Sequence, residues 1–450
     1  MGNVISNSNV TSTSSNLAFK NGICPHCSQP NTGIAWCKSC DPGRFRFEGH
    51  TSGNNSIDEF IMETQLCIEN YTDRHLEWIP FDRFKDISVV GEGGFGTVYK
   101  AIWIDGKRDW IAEEVEGKMV VRKERQGEIL VALKSIKNSK NMSKQFLHEI
   151  KTHWKCLSEL FLQFYGITTN PETEEIIMVT QYASHGNLRT YLSKNYKHIN
   201  WKAKLEWLTD IAKDLEMLHH HNFTHRDLHS GNILIVKDER FNRRIESKLT
   251  DFGLAQPANR DRLSGSIGVF GVLPYVAPEV LKGRSYTTAA DMYSFGIIMA
   301  EMSTGKLPFG DRPHDSELTL DICNGLRPDF ADGTPEFYVE LSRRCCDSDP
   351  VKRPSAMHVW QIITTWERFI NDPRKEYKSA FEAADKIRLE IVNKQDGRVD
   401  SKIHANAVYT SRLLNYCQVQ SSNKTDKIDF CKIFDSTQID LSIPEDLLLE

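Results

Sequence analysis

The order and spacing of two aspartates and an asparagine limit the possible folds of this chain more than any other feature of its sequence. Asp227 and Asn232 stand five residues apart in a segment that follows a helical stretch, and Asp251 heads Asp251-Phe252-Gly253 after a short apolar run. In this order Asp227 can orient a hydroxyl group or accept its proton, while Asn232 and Asp251 can supply hard oxygen ligands to Mg²⁺. The spacing therefore predicts phosphoryl-transfer chemistry, with Asp227 acting on the attacking hydroxyl.

A glycine-rich stretch upstream fits the nucleotide that such chemistry needs. The segment reads GxGxFGxV, and glycines let backbone N–H groups approach phosphate without a Cβ in the way. A plain glycine hairpin and a dinucleotide-binding turn are the competing interpretations, but the second needs a helix after the glycines. A strand-like run follows instead, which favours a hairpin lid over ATP. The predicted nucleotide contacts here are Gly91, Glu92, Gly93, Gly94, Phe95, Gly96 and Val98.

A lysine and a glutamate complete the predicted catalytic set. Lys134 ends an apolar strand-like run, where a lysine either extends along a sheet edge to solvent or points toward a ligand. Glu149 follows fifteen residues later within a helical pattern. A pair between the two would hold the ammonium group toward the α- and β-phosphates. The predicted catalytic residues are Asp227, Lys134, Glu149, Asn232 and Asp251.

The secondary-structure pattern changes within the same region. Short β-rich stretches occupy residues 85–182, and helical periodicity dominates after them. We expect an α+β fold with a small β-rich lobe, a larger helical lobe and a cleft between them. The charged connection 104–127 is expected to be a solvated hairpin extension.

With Ala277-Pro278-Glu279 closing the set, the chain resembles the eukaryotic protein kinases over about 285 residues. Within them it is similar to the tyrosine-kinase-like group, especially an expanded fungal set, here with an N-terminal four-cysteine motif. Segments such as Phe164-Tyr165-Gly166-Ile167 and Asp291-Met292-Tyr293-Ser294-Phe295-Gly296 carry this similarity. The resemblance implies a bilobal kinase fold, ATP and Mg²⁺ as cofactors, and proteins as substrates.

The resemblance also implies roles for individual residues. Thr180 would be the gatekeeper, and Gln181 and Ala183 would belong to the hinge beside adenine. Val98, Ala132 and Leu234 would enclose the base. Glu279 and Arg353 would form a buried pair that braces the helical lobe.

The resemblance is incomplete at two positions that bear on the substrate. His229 stands where serine/threonine kinases usually have lysine, and Val272 stands where they usually have threonine; tyrosine kinases differ at both positions too. Ser264 and Ser266 are available hydroxyls in the activation loop, which favours serine/threonine specificity. A tyrosine or dual-specificity kinase and a pseudokinase scaffold stay open as alternatives, although the complete catalytic set argues against a scaffold.

An arginine beside the predicted catalytic aspartate suggests a switch. Arg226 is expected to lack a partner until Ser264 or Ser266 is phosphorylated. The phosphate would then bind Arg226 and order residues 254–276. The alternative is a loop that is ordered already, with both serines in solvent.

Four cysteines near the N-terminus form a pattern typical of a metal site. Cys24 and Cys27 make one CxxC unit, Cys37 and Cys40 make a second, and nine residues separate them. Four thiolates at this spacing suit one tetrahedral Zn²⁺, and the segment has too little apolar mass to fold without metal. Free thiols are the alternative interpretation. Because all four predicted ligands are sulfur, the zinc is expected to be structural.

The remaining segments complete the predicted organisation. Residues 1–20 are expected to be disordered, 21–42 to form the zinc knuckle, and 43–83 to be a linker with an amphipathic helix. The kinase domain is expected at 84–370, followed by an extension at 371–450 that is partly helical and then flexible. The linker helix is expected to begin with a capping box at Ser56 and to bury one stripe, formed by Ile57, Phe60, Ile61, Ile68 and Tyr71.

Composition limits the partners and the location. The formal net charge of −5 gives no basic field, so no nucleic-acid partner is expected. The sequence contains no long apolar run and no secretion signal, and we expect a cytoplasmic protein, with the nucleus as an alternative. Gly2 lies in a myristoylation pattern; a single acyl chain there would give weak, reversible membrane association.

Overall fold

A computed structural model gives the fold of residues 23–24, 26–33, 36–41, 51–68, 75–93, 96–115, 118–135, 150–151, 154, 162–237, 245–257, 269–372, 376–394 and 403–414. The helices are α1 (Asn55–Leu66), α2 (Leu188–Asn195), α3 (Trp201–His220), α4 (Pro278–Leu281), α5 (Thr288–Thr304), α6 (Ser316–Cys323), α7 (Glu336–Cys345), α8 (Ala356–Phe369) and α9 (Glu376–Lys394). The strands are β1 (Glu77–Trp78), β2 (Phe84–Gly93), β3 (Gly96–Trp103), β4 (Arg108–Val115), β5 (Lys118–Arg125), β6 (Ile129–Ser135), β7 (Phe164–Thr169), β8 (Ile176–Gln181), β9 (Phe223–Thr224), β10 (Ile233–Lys237), β11 (Ile245–Leu249), β12 (Gln256–Pro257), β13 (Val269–Gly271) and β14 (Arg412–Leu414).

The small lobe is built on one six-stranded sheet. Its strand order is β1-β7-β8-β6-β3-β2. Only β1 and β7 run parallel among the paired strands of this sheet, with Glu77 opposite Gly166. A Cβ at Gly166 would lie 2.0 Å from the carbonyl oxygen of Glu77, so the close approach of β1 requires glycine there. Strands β4 and β5 form a separate hairpin between β3 and β6, which confirms the predicted extension.

Helix α1 covers one face of this sheet. Ile57, Phe60 and Ile61 are buried against a group of strand residues that includes Ile167. The predicted apolar face is confirmed, but the predicted helix ends were wrong. Asn54 caps the helix, because its side chain accepts a hydrogen bond from the backbone N–H of Ser56. The helix ends at Leu66, so Ile68 is buried beyond it, and Tyr71 lies outside the described residues.

The large lobe is helical, and it contains the main hydrophobic core. Helix α5 is buried along nearly its whole length, and α3 packs against both α8 and β11. Helix α9 lies in the extension that was predicted to be partly helical. It packs on the same core, where the rings of Phe381 and Trp201 lie 5.3 Å apart. The two-lobed α+β fold is therefore confirmed. In the described part of the chain, no helix is both long and apolar enough to cross a bilayer.

The predicted pair of Glu279 and Arg353 is present in the large lobe. Two nitrogens of the Arg353 guanidinium donate to the two carboxylate oxygens of Glu279, each at 2.7 Å. Both side chains are buried, so each charge depends on the other. The pair joins the start of α4 to the turn before α8.

We expect Arg353→Met to lower the free energy of unfolding by about 3–5 kcal/mol, because Glu279 would stay buried without its counter-charge. Denaturant unfolding followed by circular dichroism measures this loss. The double variant Arg353→Met/Glu279→Leu is the matched control, since replacing both partners with apolar groups leaves no buried charge and recovers much of the loss. Equal losses in the two variants would contradict the explanation.

A buried lysine on α3 links stability to pH. Lys204 is fully buried, with its ammonium 4.5 Å from the Tyr196 ring centroid and 4.6 Å from that of Trp201. Burial, with a smaller contribution from Arg388, lowers the pKa of Lys204 from 10.5 to about 7. Below about pH 7 both the folded and the unfolded chain carry this proton. Between pH 7 and 10.5 only the unfolded chain does, so this group lets stability rise with pH in that window.

We expect Lys204→Met to stabilise the protein most at or below pH 7, because it removes the cost of burying the charge. The gain should shrink by about 1.4 kcal/mol per pH unit above that value. Unfolding midpoints measured across the window test this. Lys202→Met is the control on the same helix, since its side chain is half exposed; a similar pH-dependent gain in the control would refute the assignment to Lys204.

Candidate active site

The loop 225–232 is held by one buried carboxylate on α5. Asp291 accepts hydrogen bonds from the backbone N–H groups of His225, at 2.9 Å, and Arg226, at 3.0 Å. It also lies 2.9 Å from Nε2 of His219, at the end of α3. Sequence analysis gave His219 no role, yet it helps to fix the loop.

Asp227, the predicted catalytic residue, lies in this loop and is buried. Its Oδ2 accepts a hydrogen bond from Nδ2 of Asn232 at 3.2 Å, and Asn232 also donates to the Asp227 carbonyl at 2.9 Å. Burial opposes ionisation of Asp227, but contacts with His229, Ser411 and His225 outweigh it and lower the pKa of Asp227. The carboxylate is therefore ionised near neutral pH and can accept a hydrogen bond from a hydroxyl.

His229 replaces the expected lysine, and its ring faces Asp227. Nδ1 of the ring receives the backbone N–H of Gly231 at 3.0 Å and lies 3.3 Å from a guanidinium nitrogen of Arg189. Two donors at Nδ1 leave the ring proton on Nε2, which lies 3.6 Å from Oδ1 of Asp227. A Cβ at Gly231 would lie 2.8 Å from the ring, so glycine is needed for this approach. The histidine presents an N–H to the carboxylate, whereas a lysine would present a permanent charge.

The other predicted catalytic residues divide into two groups. Lys134 on β6 forms an ion pair with Asp251, with 3.0 Å between Nζ and Oδ1. The backbone N–H of Thr250 donates to the carbonyl of Asn232, which ties the two loops together beside Asp227. The structure therefore brings Lys134, Asn232 and Asp251 close to Asp227. Glu149 lies outside the described residues.

The glycine-rich segment forms the predicted hairpin. Gly91 pairs with Val98, and Gly93 pairs with Gly96 across the end of β2 and β3. The tip, Gly94 and Phe95, lies outside the described residues. Glu92 pairs with Thr97 in the same ladder.

The residues predicted around the nucleotide base lie on neighbouring strands and in a small apolar cluster. Val98 pairs with Lys134, and Ala132 pairs with Thr180. Gln181 ends β8, and its backbone N–H donates to the carbonyl of Gln163. Ala183 packs in a small apolar cluster with Leu234.

Arg226 has partners within the described chain, and the prediction that it lacks one was wrong. Its Nη1 donates to Oε1 of Gln256 at 2.5 Å, and its Nε donates to Oγ1 of Thr224 at 3.1 Å. The guanidinium carbon also lies 5.4 Å from the ring centroid of Tyr286. Neutral groups thus bind this cation at three of its contacts. Ser264 and Ser266 lie outside the described residues.

The four cysteines of the N-terminal motif converge. The sulfurs of Cys24, Cys27, Cys37 and Cys40 all lie within 4.8 Å of one another. Cys27 and Cys37 are separated by 3.7 Å between their sulfurs, close to the roughly 3.8 Å that tetrahedral Zn–S bonds of about 2.3 Å require. Burial acts against ionisation of Cys24, but the backbone N–H groups of Cys27 and His26 outweigh it and lower the pKa of Cys24 to about 7. The donor set and its spacing fit one zinc ion.

The cysteine cluster contacts the small lobe. Trp36 is fully buried, and its ring lies 5.5 Å from that of His75, two residues before β1. The backbone N–H of Cys37 donates to the carboxylate of Asp41 at 2.7 Å. The cluster is thus attached to the edge of the sheet.

Sequence reasoning also missed Ser411, which lies at the site. Ser411, far along the chain, places its hydroxyl 2.5 Å from Oδ2 of Asp227. It belongs to the segment that was predicted only as an extension. A single serine in a mixed polar segment carries no local pattern, so no signal in the sequence could have found it.

Comparison with known proteins agrees with this geometry. The chain is 31% identical over 297 residues to "Probable serine/threonine-protein kinase roco5" of Dictyostelium discoideum, and the alignment covers 61% of this chain and 10% of that protein. It is 29% identical over 344 residues to "Probable serine/threonine-protein kinase pats1" of the same organism, covering 75% of this chain and 10% of that protein. It is 28% identical over 297 residues to "Mitogen-activated protein kinase kinase kinase 10" of Xenopus laevis, and the alignment covers 64% of this chain and 27% of that protein.

The chain therefore spans only about a tenth of the two Dictyostelium relatives. Residues 84–363 match the family described as protein tyrosine and serine/threonine kinase. This match includes the glycine hairpin, Lys134, the loop 225–232 and Asp251, and it covers more than half of the chain. The chain belongs to the protein tyrosine and serine/threonine kinase family.

Proposed function

We propose that this chain is an ATP-dependent protein kinase that transfers the γ-phosphate to serine and threonine hydroxyls of proteins. One observation carries the proposal: an ionised, buried Asp227 accepts a serine hydroxyl while Asn232 donates to the same carboxylate oxygen. A carboxylate that receives a hydroxyl in this way can orient its oxygen for attack on phosphorus. The names of the Dictyostelium relatives, both probable serine/threonine-protein kinases, support serine/threonine specificity.

ATP would lie between the glycine hairpin and the loop 225–232. Backbone N–H groups near Gly91 and Gly93 would face the phosphates, and Lys134 would neutralise part of their charge. Val98 and Ala132 would cover one face of the base and Leu234 the other, with Gln181 and Ala183 at its edge. The strand register supports this, because Val98, Lys134, Ala132 and Thr180 occupy adjacent rungs of β3, β6 and β8.

Asn232 and Asp251 fit the magnesium that accompanies ATP. Both donated hydrogen bonds of the Asn232 amide nitrogen go to Asp227, so its amide oxygen is the atom available as a ligand. Asp251 uses Oδ1 for Lys134, and its second carboxylate oxygen can ligate a cation. Magnesium bound there would neutralise charge on the phosphates, while Asp227 acts on the acceptor hydroxyl.

Within the family, we propose membership of the tyrosine-kinase-like group. The likeness to the mitogen-activated protein kinase kinase kinase and the segments around Tyr165 and Asp291 support this placement. Cytoplasmic location and lipid attachment at Gly2 stay predictions, and Gly2 lies outside the described residues.

We propose that Cys24, Cys27, Cys37 and Cys40 hold one structural zinc ion. Closed coordination by four thiolates leaves no position for a substrate. The buried Trp36 against His75 supports a role in attaching the N-terminal segment to the small lobe. Metal binding would supply the folding free energy that so small a segment lacks.

We expect Asp227→Asn to lower phosphoryl transfer to a generic protein substrate by about 10²–10⁴-fold, because the acceptor hydroxyl loses its carboxylate. ATP binding, measured by calorimetry with Mg²⁺, should change little. Asp321→Asn is the control, since that aspartate lies on α6 and pairs with Arg312. Phosphate found on tyrosine would support the dual-specificity alternative, and wild-type protein that labels nothing would support a pseudokinase.

We expect one zinc ion per chain in protein purified with its thiols reduced, measured by elemental analysis. Removing it with a chelator should expose Trp36 and shift its fluorescence to longer wavelength, because the knuckle cannot stay folded without metal. Trp36→Phe is the control, since it should bind zinc and lose that shift. Cys67→Ser, at an exposed cysteine outside the cluster, should keep the metal. A zinc-free protein with an unchanged Trp36 signal would contradict the proposal.

A further inference from the structure

Residues 403–414, which we call the C-terminal strap, lie on the large lobe. The backbone N–H of His404 donates to the carbonyl of Gly310 at 2.8 Å. His314 donates its backbone N–H to the carbonyl of Asn406 at 3.0 Å, and its ring nitrogen Nδ1 lies 2.9 Å from the carbonyl of Val408. These bonds recur along the strap, so they hold it in one register.

Tyr409 anchors the middle of the C-terminal strap. Its hydroxyl donates to the carbonyl of Pro308 at 2.8 Å, and its ring lies 4.7 Å from the ring of His314. The guanidinium of Arg189 stacks on the same ring at 5.4 Å and donates to the Tyr409 carbonyl at 2.7 Å. Arg189 also contacts His229. The strap is therefore tied to the residue that orients the ring beside Asp227.

The end of the strap is a strand that pairs with β13, which lies near the end of the activation loop (residues 254–276). Strand β14 runs antiparallel to β13, with Arg412 opposite Gly271. Leu414 is buried in the core of the large lobe, and a guanidinium nitrogen of Arg412 donates to the carbonyl of His314 at 2.8 Å. A Cβ at Gly271 would lie 3.8 Å from Oδ1 of Asp227, so this strand pair ends beside the catalytic carboxylate. That register places residue 411 at Asp227.

We infer that Ser411 is a site at which this kinase phosphorylates its own chain, and that the C-terminal strap is an internal substrate. The inference rests on the proposed kinase activity. Ser411 places its hydroxyl on Oδ2 of Asp227, where an acceptor hydroxyl must lie for transfer. The neighbouring Thr410 is exposed, and the Tyr409 hydroxyl is bonded to Pro308 instead.

The transfer step is balanced by groups already named and by ATP. Oγ of Ser411 attacks the γ-phosphorus of ATP, and the bond between that phosphorus and the β,γ-bridging oxygen breaks. The electron pair of the broken bond leaves with ADP. The serine proton passes to Oδ2 of Asp227, from which solvent removes it. Phosphoserine at residue 411 and ADP are the products.

The product changes the charge beside Asp227. Phosphoserine carries nearly two negative charges, and the ionised Asp227 would repel it at contact distance. The strap should then leave Asp227, and the position that Ser411 occupied becomes available to hydroxyls of other proteins. Phosphorylation of Ser411 therefore activates the kinase toward added substrates.

The reaction should occur within one chain. Eight residues, 395–402, connect the strap to the end of α9. A connection this short keeps the hydroxyl at an effective concentration on the order of millimolar or higher, far above that of the protein in an assay. A second chain cannot compete with an acceptor that is already bound.

The test uses the full chain with Mg-ATP at several protein concentrations and measures phosphate on Ser411 by mass spectrometry. The fraction phosphorylated per unit time should not change over about a hundredfold dilution. Full-length Asp227→Asn protein mixed with wild type should gain less than about a tenth of the wild-type phosphate at Ser411. Ser411→Ala should lose this phosphate and remain slow toward an added protein substrate, whereas Thr410→Ala should behave as wild type. Wild type should show a lag toward that substrate that incubation with ATP removes.

Other outcomes separate this inference from the proposed function. Tyr409→Ala, which removes the main anchor of the strap, reports activity with the substrate position uncovered. If that variant labels the added substrate while wild-type Ser411 gains no phosphate, the inference is overturned and the kinase activity stands. Phosphate at Ser411 that depends on protein concentration would overturn transfer within one chain. If neither the wild type nor Tyr409→Ala labels any substrate, the proposed function itself fails.

Discussion

The carboxylate of Asp291 holds the catalytic loop, and the geometry of the active site depends on it. Three N–H groups converge on this buried carboxylate, two from the loop backbone and one from His219. Burial alone would favour the neutral acid, but His219 and the loop outweigh it and lower the pKa of Asp291. An ionised acceptor makes each of these hydrogen bonds stronger than a neutral one would. It therefore fixes the backbone at the start of the loop, at His225 and Arg226.

The same carboxylate explains an unfavourable backbone conformation. Arg226 has φ of 68°, in the left-handed region that side-chain-bearing residues rarely adopt. Such a residue costs on the order of 1–3 kcal/mol unless its surroundings fix it. The hydrogen bond from the Arg226 N–H to Asp291 and the stacking on Tyr286 supply that constraint. The ring of His225, the residue before Arg226, adds a further contact, because its Nε2 lies 3.0 Å from the Thr250 carbonyl. Burial lowers the pKa of His225, so this brace stays neutral.

The sequence predicted the parts of the site that depend on neighbouring residues. The five-residue spacing from Asp227 to Asn232 and the glycine hairpin follow from local backbone geometry, so both were recognisable. The apolar face of α1 was recognisable too, because a helix that is buried on one side carries apolar residues every three or four positions. Asn54 was missed as the cap of this helix. The contact of Ser411 with Asp227 joins residues 184 apart, and nothing in the local pattern encodes such a distance. Arg226 was misjudged for a related reason: Gln256 and Tyr286 are neutral, and charge pairing alone does not reveal neutral partners.

Strand β1 extends the folding unit of the small lobe beyond the residues that match the kinase family. It lies outside the family match, which begins at residue 84, yet it covers the exposed side of β7. An uncovered strand edge offers unpaired N–H and C=O groups to any other strand, and this invites association between chains. Glu77 on β1 also lies 2.6 Å from the guanidinium of Arg125 in the β4–β5 hairpin. The residues before the match therefore belong to the folding unit of the small lobe, and at Gly166 and Ile167 they occupy the edge of β7 with which another strand could otherwise pair.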